Sequence, residues 1–227
     1  MPGHKIKNAL FSTAYLPPIE YFVFMLLSDN VLIEAHETYP KQTYRNRCYI
    51  YSCNGVESLH IPVIKPMGKY SKTNEVLISY KQHWQRNHWR AICTAYRNAP
   101  FFLYYQDFLE PFFRKQTCKL LDFNYYLLNT LLSETGMAKN INFTNYFEKN
   151  ISDFVDFRIS ISPKSTNCSM LSIIKMPAYQ QVFDQKYGFK PNLSIIDLLF
   201  NKGPDTLEYL LECSRKIDIS YLKDMRS

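Results

Sequence analysis

ALFSTAYLPPIEYFVFMLLSDNVLIEAH, residues Ala9 to His36, decides the fold. Ala9 to Tyr15 reads as a short buried strand. Pro17 and Pro18 follow and suit the opening of a helix, because the first helical turn has N–H groups with no intrahelical partner and proline lacks that group. The apolar run after them predicts a helix to about Ser28, and Val31 to His36 reads as a second strand. Strand, helix and strand at such short spacing predict a βαβ unit whose two strands are parallel neighbours. Two consecutive prolines also make a stiff corner, in a chain with only 6 Gly against 12 Pro. Corners at the carboxyl ends of parallel strands line ligand crevices in α/β sheets.

Working outward, Arg47 to Ile64 carries Asn54-Gly55 between alternating residues, a hairpin signal. Asn74 to Ser79 reads as a further short strand. Gln82 to Asn98 reads as a helix with Trp84, His88, Ile92 and Ala95 on one face and His83, Arg86, Arg90 and Arg97 on the other. Phe101 to Phe113 and Cys118 to Glu134 are two more helices, the second ended by Gly136. Asn140 to Asn167 is mixed and polar and gives no clear element. Near the C-terminus one helix should stop at Gly203 and another start at Pro204 or Asp205. The expected class is therefore α/β: a βαβ start, a mixed sheet that includes a hairpin, and a mainly helical C-terminal half. The 227 residues fit one domain, with a helical subregion from about residue 82.

Hydrophobic residues make up 46% and aromatics 16%, which argues against extensive disorder. No apolar run is long enough to span a bilayer. The six cysteines, at 48, 53, 93, 118, 168 and 213, form no Cys-x-x-Cys pair and follow no secretory leader. They read as reduced thiols of a cytoplasmic protein. The net charge of +7 is concentrated: Thr38 to Gln106 holds ten bases and two acids, Glu57 and Glu75. Such a field favours an anionic partner: a nucleotide, a phosphorylated metabolite, nucleic acid or an acidic lipid surface. Glycine-rich nucleotide loops, the nucleophile elbow and the zinc-protease helix motif are all absent, which argues against hydride transfer, ATPase, serine hydrolase and zinc protease chemistry and leaves the cofactor unknown.

The densest polar cluster is Glu34 to Cys48, EAHETYPKQTYRNRC, directly after a predicted strand. Glu34, His36 and Glu37 can serve as acid, base or metal ligand. Lys41, Arg45 and Arg47 can grip phosphate or carboxylate oxygens, arginine through a two-pronged fork. Arg45 and Arg47 alternate on extended chain, so only one should face a cleft, and Arg45 is the better placed. The expected site has His36 and Glu34 as acid–base groups. Tyr15, Lys41, Gln42 and Arg45 contact substrate between the Tyr15–Pro18 corner and the loop, and Arg86 and Arg90 are further anion ligands. His83 and His88, five residues apart, share no helix face, so no metal site is expected.

The blocks STAYLPPIEYF, KQTYRNRCYI, IPVIK, HWQRNHWRAICTAYRNAPFF, DFN and YQQVFDQKYGFKPNLSIIDLLFNKGP come in an order that resembles the WbqC-like protein family, from about Leu10 to Leu211 and closest to its compact Bacteroidetes form. Other members commonly open with a His-Gln-Pro-x-Tyr-Leu-Pro block. Here Phe11, Ser12 and Thr13 precede Ala14, so that histidine has no counterpart. The resemblance implies a cytoplasmic role in surface-polysaccharide (O-antigen-like) biosynthesis, as a transferase, glycyl or aminoacyl transfer being suggested for some relatives. It implies an anionic nucleotide-linked or phosphorylated sugar as substrate. The alternatives are a non-catalytic nucleotide or glycan-precursor binding protein and, third, an RNA binder using Tyr39, Tyr44, Tyr49 and Tyr51 among the bases.

Overall fold

The structure is a computed structural model that describes residues 5–149, 153–164, 170–215 and 217. Its strands are β1 (Ile6–Ser12), β2 (Ser28–Glu34), β3 (Arg47–Ser52), β4 (Gly55–His60), β5 (Val63–Ile64), β6 (Leu77–Ile78), β7 (Ile141–Phe143) and β8 (Val155–Asp156). Its helices are α1 (Ile19–Leu27), α2 (Trp84–Tyr96), α3 (Phe102–Arg114), α4 (Leu120–Glu134), α5 (Asp184–Tyr187), α6 (Ile195–Lys202) and α7 (Thr206–Arg215). The α/β class holds, with a helical C-terminal half.

β1 and β2 are parallel neighbours, Ala9 opposite Val31 and Phe11 opposite Ile33. The main sheet runs β7-β2-β1-β8, and every pairing in it is parallel. Counted by chain order within the sheet this is 3-2-1-4, so the strand order reverses between β1 and β8. The predicted hairpin forms, but as its own two-stranded ladder rather than as part of the main sheet. Its turn sits on Cys53 and Asn54, and Gly55, at φ 98°, is the first residue of β4. The strand expected over Asn74 to Ser79 shrinks to Leu77–Ile78. The N–H groups of Thr73 and Asn74 are drawn instead to the Glu37 and Ala35 carbonyls, at 3.0 and 2.9 Å, which winds a tight turn there.

The proline corner has a second purpose beyond starting α1. Leu16 is left-handed, at φ 42°, and Pro18 is extended and caps the helix. The Pro17 carbonyl accepts the Ile195 N–H at 2.8 Å, and the Ile19 N–H donates to the Leu193 carbonyl at 3.0 Å. The C-terminal segment thus docks on the corner, where missing proline donors cost nothing. Ser194 N–H in turn reaches the Tyr49 carbonyl of β3 at 2.9 Å, tying corner, C-terminal block and hairpin together. Apart from Glu20, helix α1 is apolar all round, and it is almost wholly buried, as befits a helix inside a core. Phe11 from the sheet meets Tyr21 and Phe157, and Phe157 stacks on Phe24 at 4.6 Å. Ser28 Oγ–H donates to the Phe24 carbonyl at 2.7 Å, and the Lys139 ammonium reaches the Leu26 and Ser28 carbonyls, so the helix ends directly in β2.

Among the described residues no helix is long and apolar enough to cross a membrane. Cys48, Cys53, Cys93 and Cys118 are free thiols, and Cys168 lies outside the described residues.

Candidate functional site at the carboxyl edge of the sheet

All four strands of the parallel sheet deliver their carboxyl ends to one edge, and polar side chains gather there. Glu34 closes β2 and is fully buried. Its Oε1 accepts the His36 N–H at 2.7 Å and the Thr144 hydroxyl, just past β7, at 3.0 Å. Its Oε2 meets Arg158 Nη1, just past β8, at 3.2 Å. Arg158 also clamps Asp156 through Nε and Nη2 and donates to the Glu148 and Lys149 carbonyls. All five of its N–H donors are engaged. Glu34, Arg158 and Asp156 thus form a strut linking the ends of β2 and β8 across β1.

In front of the strut lies a less satisfied group. Arg45 is 3% exposed; its Nε and Nη2 donate to Glu37 Oε1 at 2.8 and 2.5 Å. The pair leaves Arg45 Nη1 and Glu37 Oε2 outside it. The buried Tyr39 hydroxyl, Asn124 Oδ1 and Asn74 Oδ1 have no hydrogen-bond partner among the described residues. Asn124, from α4, donates through Nδ2 to Thr13 Oγ1, at the end of β1, and to the Arg45 carbonyl, at 3.1 and 2.8 Å. Buried polar atoms are nearly always paired. The unpartnered Tyr39 hydroxyl and Asn124 Oδ1 near Arg45 make this edge a candidate polar pit. It sits beside the point where strand order reverses, the usual ligand position in open α/β sheets. Burial pushes the Glu37 carboxyl above its usual range, against the opposing pull of Arg45.

The expected site residues fall into three groups. Glu34, His36 and Arg45 are brought together at this edge, with His36 half-buried on the rim and its Nδ1 3.4 Å from Asn74 Nδ2. Lys41 and Gln42 are exposed at the tip of the loop, Gln42 with φ 59°. Tyr15 is fully buried: its hydroxyl meets His88 Nδ1 at 2.9 Å and its N–H donates to the Tyr44 carbonyl at 2.8 Å. Corner and loop therefore touch at Tyr15 rather than facing each other across open space. Arg86 and Arg90 are exposed on the side of α2 opposite His88, away from the Tyr15 contact. Arg47 lies on the hairpin with His60. No group of three or more His, Cys, Asp or Glu able to hold a metal occurs among the described residues. Asp197 belongs to a separate buried network with Tyr179 and Gln181.

Sequence reading missed Arg158 and Asn124. Nothing in the polar stretch around Arg158 signals a partner 124 residues away. Asn124 carried a signal, a carboxamide inside the otherwise apolar stripe of α4.

A small parallel sheet with charged and polar side chains gathered at its carboxyl edge defines an α/β protein. The sequence profile of the WbqC-like protein family matches residues 13–165 and 162–209, and the chain belongs to that family. Every residue of the pit and of its strut falls within the first match. The chain is also 27% identical over 230 residues to the uncharacterized protein Rv1507c of Mycobacterium tuberculosis, covering 91% of this chain and 98% of that one. No solved structure matches the chain.

Proposed function

We propose that the chain is a transferase of surface-polysaccharide biosynthesis acting on a phosphorylated or nucleotide-activated sugar precursor, with an aminoacyl-type group as the one transferred. The observation that carries this reading is Arg45: a buried guanidinium bonded to Glu37 through Nε and Nη2 only, near the unpartnered Tyr39 hydroxyl and Asn124 side-chain carbonyl. An anionic oxygen from a ligand would complete the guanidinium, and the hydroxyl and carboxamide would orient the neighbouring atoms. Glu37 is then the acid–base group. A carboxyl raised by burial is a better match to proton transfer near neutral pH than an ordinary one. It would take the proton of the attacking hydroxyl or amine. His36 on the rim is a second proton carrier. Glu34 orients the strut, Lys41 and Gln42 line the approach, and Arg86 and Arg90 add to the attracting field.

The test is a thermal-shift screen of nucleotides, nucleotide sugars and aminoacyl donors, followed by a transfer assay with the best pair. A ligand that binds only the folded state must raise its stability. An anionic sugar precursor should raise the melting temperature. Arg45→Lys should bind it at least about tenfold more weakly, because the planar fork is lost. Glu37→Gln should bind normally and turn over poorly. Binding without turnover by the unaltered protein would favour the non-catalytic reading. Failure of every anionic candidate to bind would overturn the proposal.

A further inference from the structure

Residues 64–70, IKPMGKY, project from the short β5–β6 ladder with almost no cover. Ile64 is 46% exposed, Met67 64% and Tyr70 69%, and Pro66 between them is exposed too. The segment is nonetheless well ordered by its own backbone. Gly68 N–H donates to the Lys65 carbonyl at 3.0 Å, and Tyr70 N–H to the Met67 carbonyl at 3.1 Å. Met67 N–H donates to Ser71 Oγ at 2.9 Å. Gly68 supplies the left-handed residue, φ 57°, that this knuckle needs. Apolar side chains held out on a preformed knuckle lose little entropy when they dock.

The charges around it are mainly positive, the nearby acid being Glu75, whose carboxylate accepts the Lys72 N–H at 2.8 Å. Lys65, Lys69 and Lys72 lie in or beside the knuckle, and none of their ammonium groups makes an ion pair among the described residues. From Thr38 to Gln106 the only acids are Glu57 and Glu75. From this juxtaposition we infer that the knuckle is a membrane-surface contact, its apolar tip seating in the headgroup region of an anionic phospholipid bilayer and its lysines meeting lipid phosphates. Long lysine stems let the ammonium stay at the interface while the apolar tip enters. Tyrosine suits the interface for the same reason. A lipid surface fits better than nucleic acid, because of the exposed knuckle side chains only Tyr70 offers an aromatic face, already covered on one side by the Lys69 ammonium at 5.0 Å, while Ile64, Pro66 and Met67 offer a base nothing to stack on.

The contact would also orient the molecule. Tyr39 N–H donates to the Ser71 carbonyl at 2.9 Å, and Thr38 bridges Lys72, so the knuckle is bonded to the loop that bears Glu37 and Tyr39. The contact would then hold that loop close to the bilayer surface. The inference does not rest on the transferase reading.

The test is co-sedimentation of the full chain with vesicles of phosphatidylcholine alone and of phosphatidylcholine mixed with phosphatidylglycerol. Binding is expected only to the anionic vesicles, and to weaken with salt. Lys65→Gln with Lys69→Gln should lower the affinity about 25-fold, near fivefold for each lysine. Met67→Ser with Tyr70→Ser changes no charge and should lower it at least about tenfold. Met67, Lys69 and Tyr70 are exposed and Lys65 is half-buried with no ion pair among the described residues, so melting temperature should be unchanged and confirms folding. The inference is overturned if the protein ignores anionic vesicles, or if the Met67/Tyr70 variant binds them like the parent. It is also overturned if inorganic phosphate or single-stranded RNA competes fully with the vesicles while the apolar variant is unaffected, which would make the surface a polyanion site.

Discussion

Removing Arg158 should cost far more than removing an ordinary surface arginine. The side chain is 7% exposed, and its partner Glu34 is fully buried. At their 3.2 Å separation, with an effective dielectric constant of about 20, the attraction is about 5 kcal/mol. The net loss from Glu34 is smaller, because Glu34 keeps the His36 N–H and the Thr144 hydroxyl, each contributing about 1 kcal/mol or more, and the half-exposed Asp156 regains water. The Glu148 and Lys149 carbonyls lose a donor but lie where water can replace it. Breaking one side of a buried pair typically costs 3–5 kcal/mol, and the lower end applies here, so Arg158→Ala should destabilise by about 3 kcal/mol. For a domain of this size that lowers the melting temperature by roughly 6–12 °C. Glu34→Gln together with Arg158→Ala removes the unpaired charge and should recover at least about 1 kcal/mol relative to the sum of the single changes. Urea unfolding at pH 7 reads all three variants. A loss under about 1 kcal/mol for Arg158→Ala, or strict additivity in the double variant, would refute the strut.

Three further outcomes follow from buried groups elsewhere. Burial drives His88 down to about 4, below its unfolded value, so the folded state resists protonation. Its contribution is present above about pH 6.5 and is lost as pH falls toward 4; His88→Phe should therefore lose about 3 kcal/mol less than the parent between pH 7 and 4, read from urea midpoints. Glu20 has the opposite sign: burial raises it to about 7, with one oxygen on Asn192 and the other unpartnered among the described residues. Its contribution is full below about pH 4.5 and fades as pH rises through 7, so Glu20→Gln should be the more stable protein at pH 8, by roughly 2 kcal/mol, and not at pH 4.5. Gly203 sits at φ 56° with the Phe101 ring 2.5 Å from where a Cβ would be, so Gly203→Ala should destabilise by about 2–4 kcal/mol in chemical denaturation, and a loss under about 1 kcal/mol would contradict the close packing.

The parts of this fold that were legible in the sequence are those set by local chemistry. The βαβ start followed from apolar runs and two prolines, and β1 and β2 are indeed parallel. The two faces of α2 followed from helical periodicity: Trp84, His88, Ile92 and Ala95 are buried, and Arg86 and Arg90 are exposed. What was illegible depends on distant partners. β7 and β8 span three and two residues, too short for any periodicity, and they exist because β1 and β2 offer open edges. For the same reason the strut could not be foreseen, since Glu34 and Arg158 meet only after both outer strands are in place. Arg45 was picked out as the arginine to watch; that it would be buried against Glu37 could not be read from alternation along a loop.

The central claim is that the pit in front of the strut holds an anionic ligand. A crystal structure with the best ligand from the thermal-shift screen tests it most directly. An anionic ligand oxygen should lie within about 3.2 Å of Arg45 Nη1, with the Tyr39 hydroxyl or Asn124 Oδ1 newly hydrogen-bonded to the same molecule. Ligand density confined to another surface, with no contact to Arg45, Tyr39 or Asn124, would contradict it.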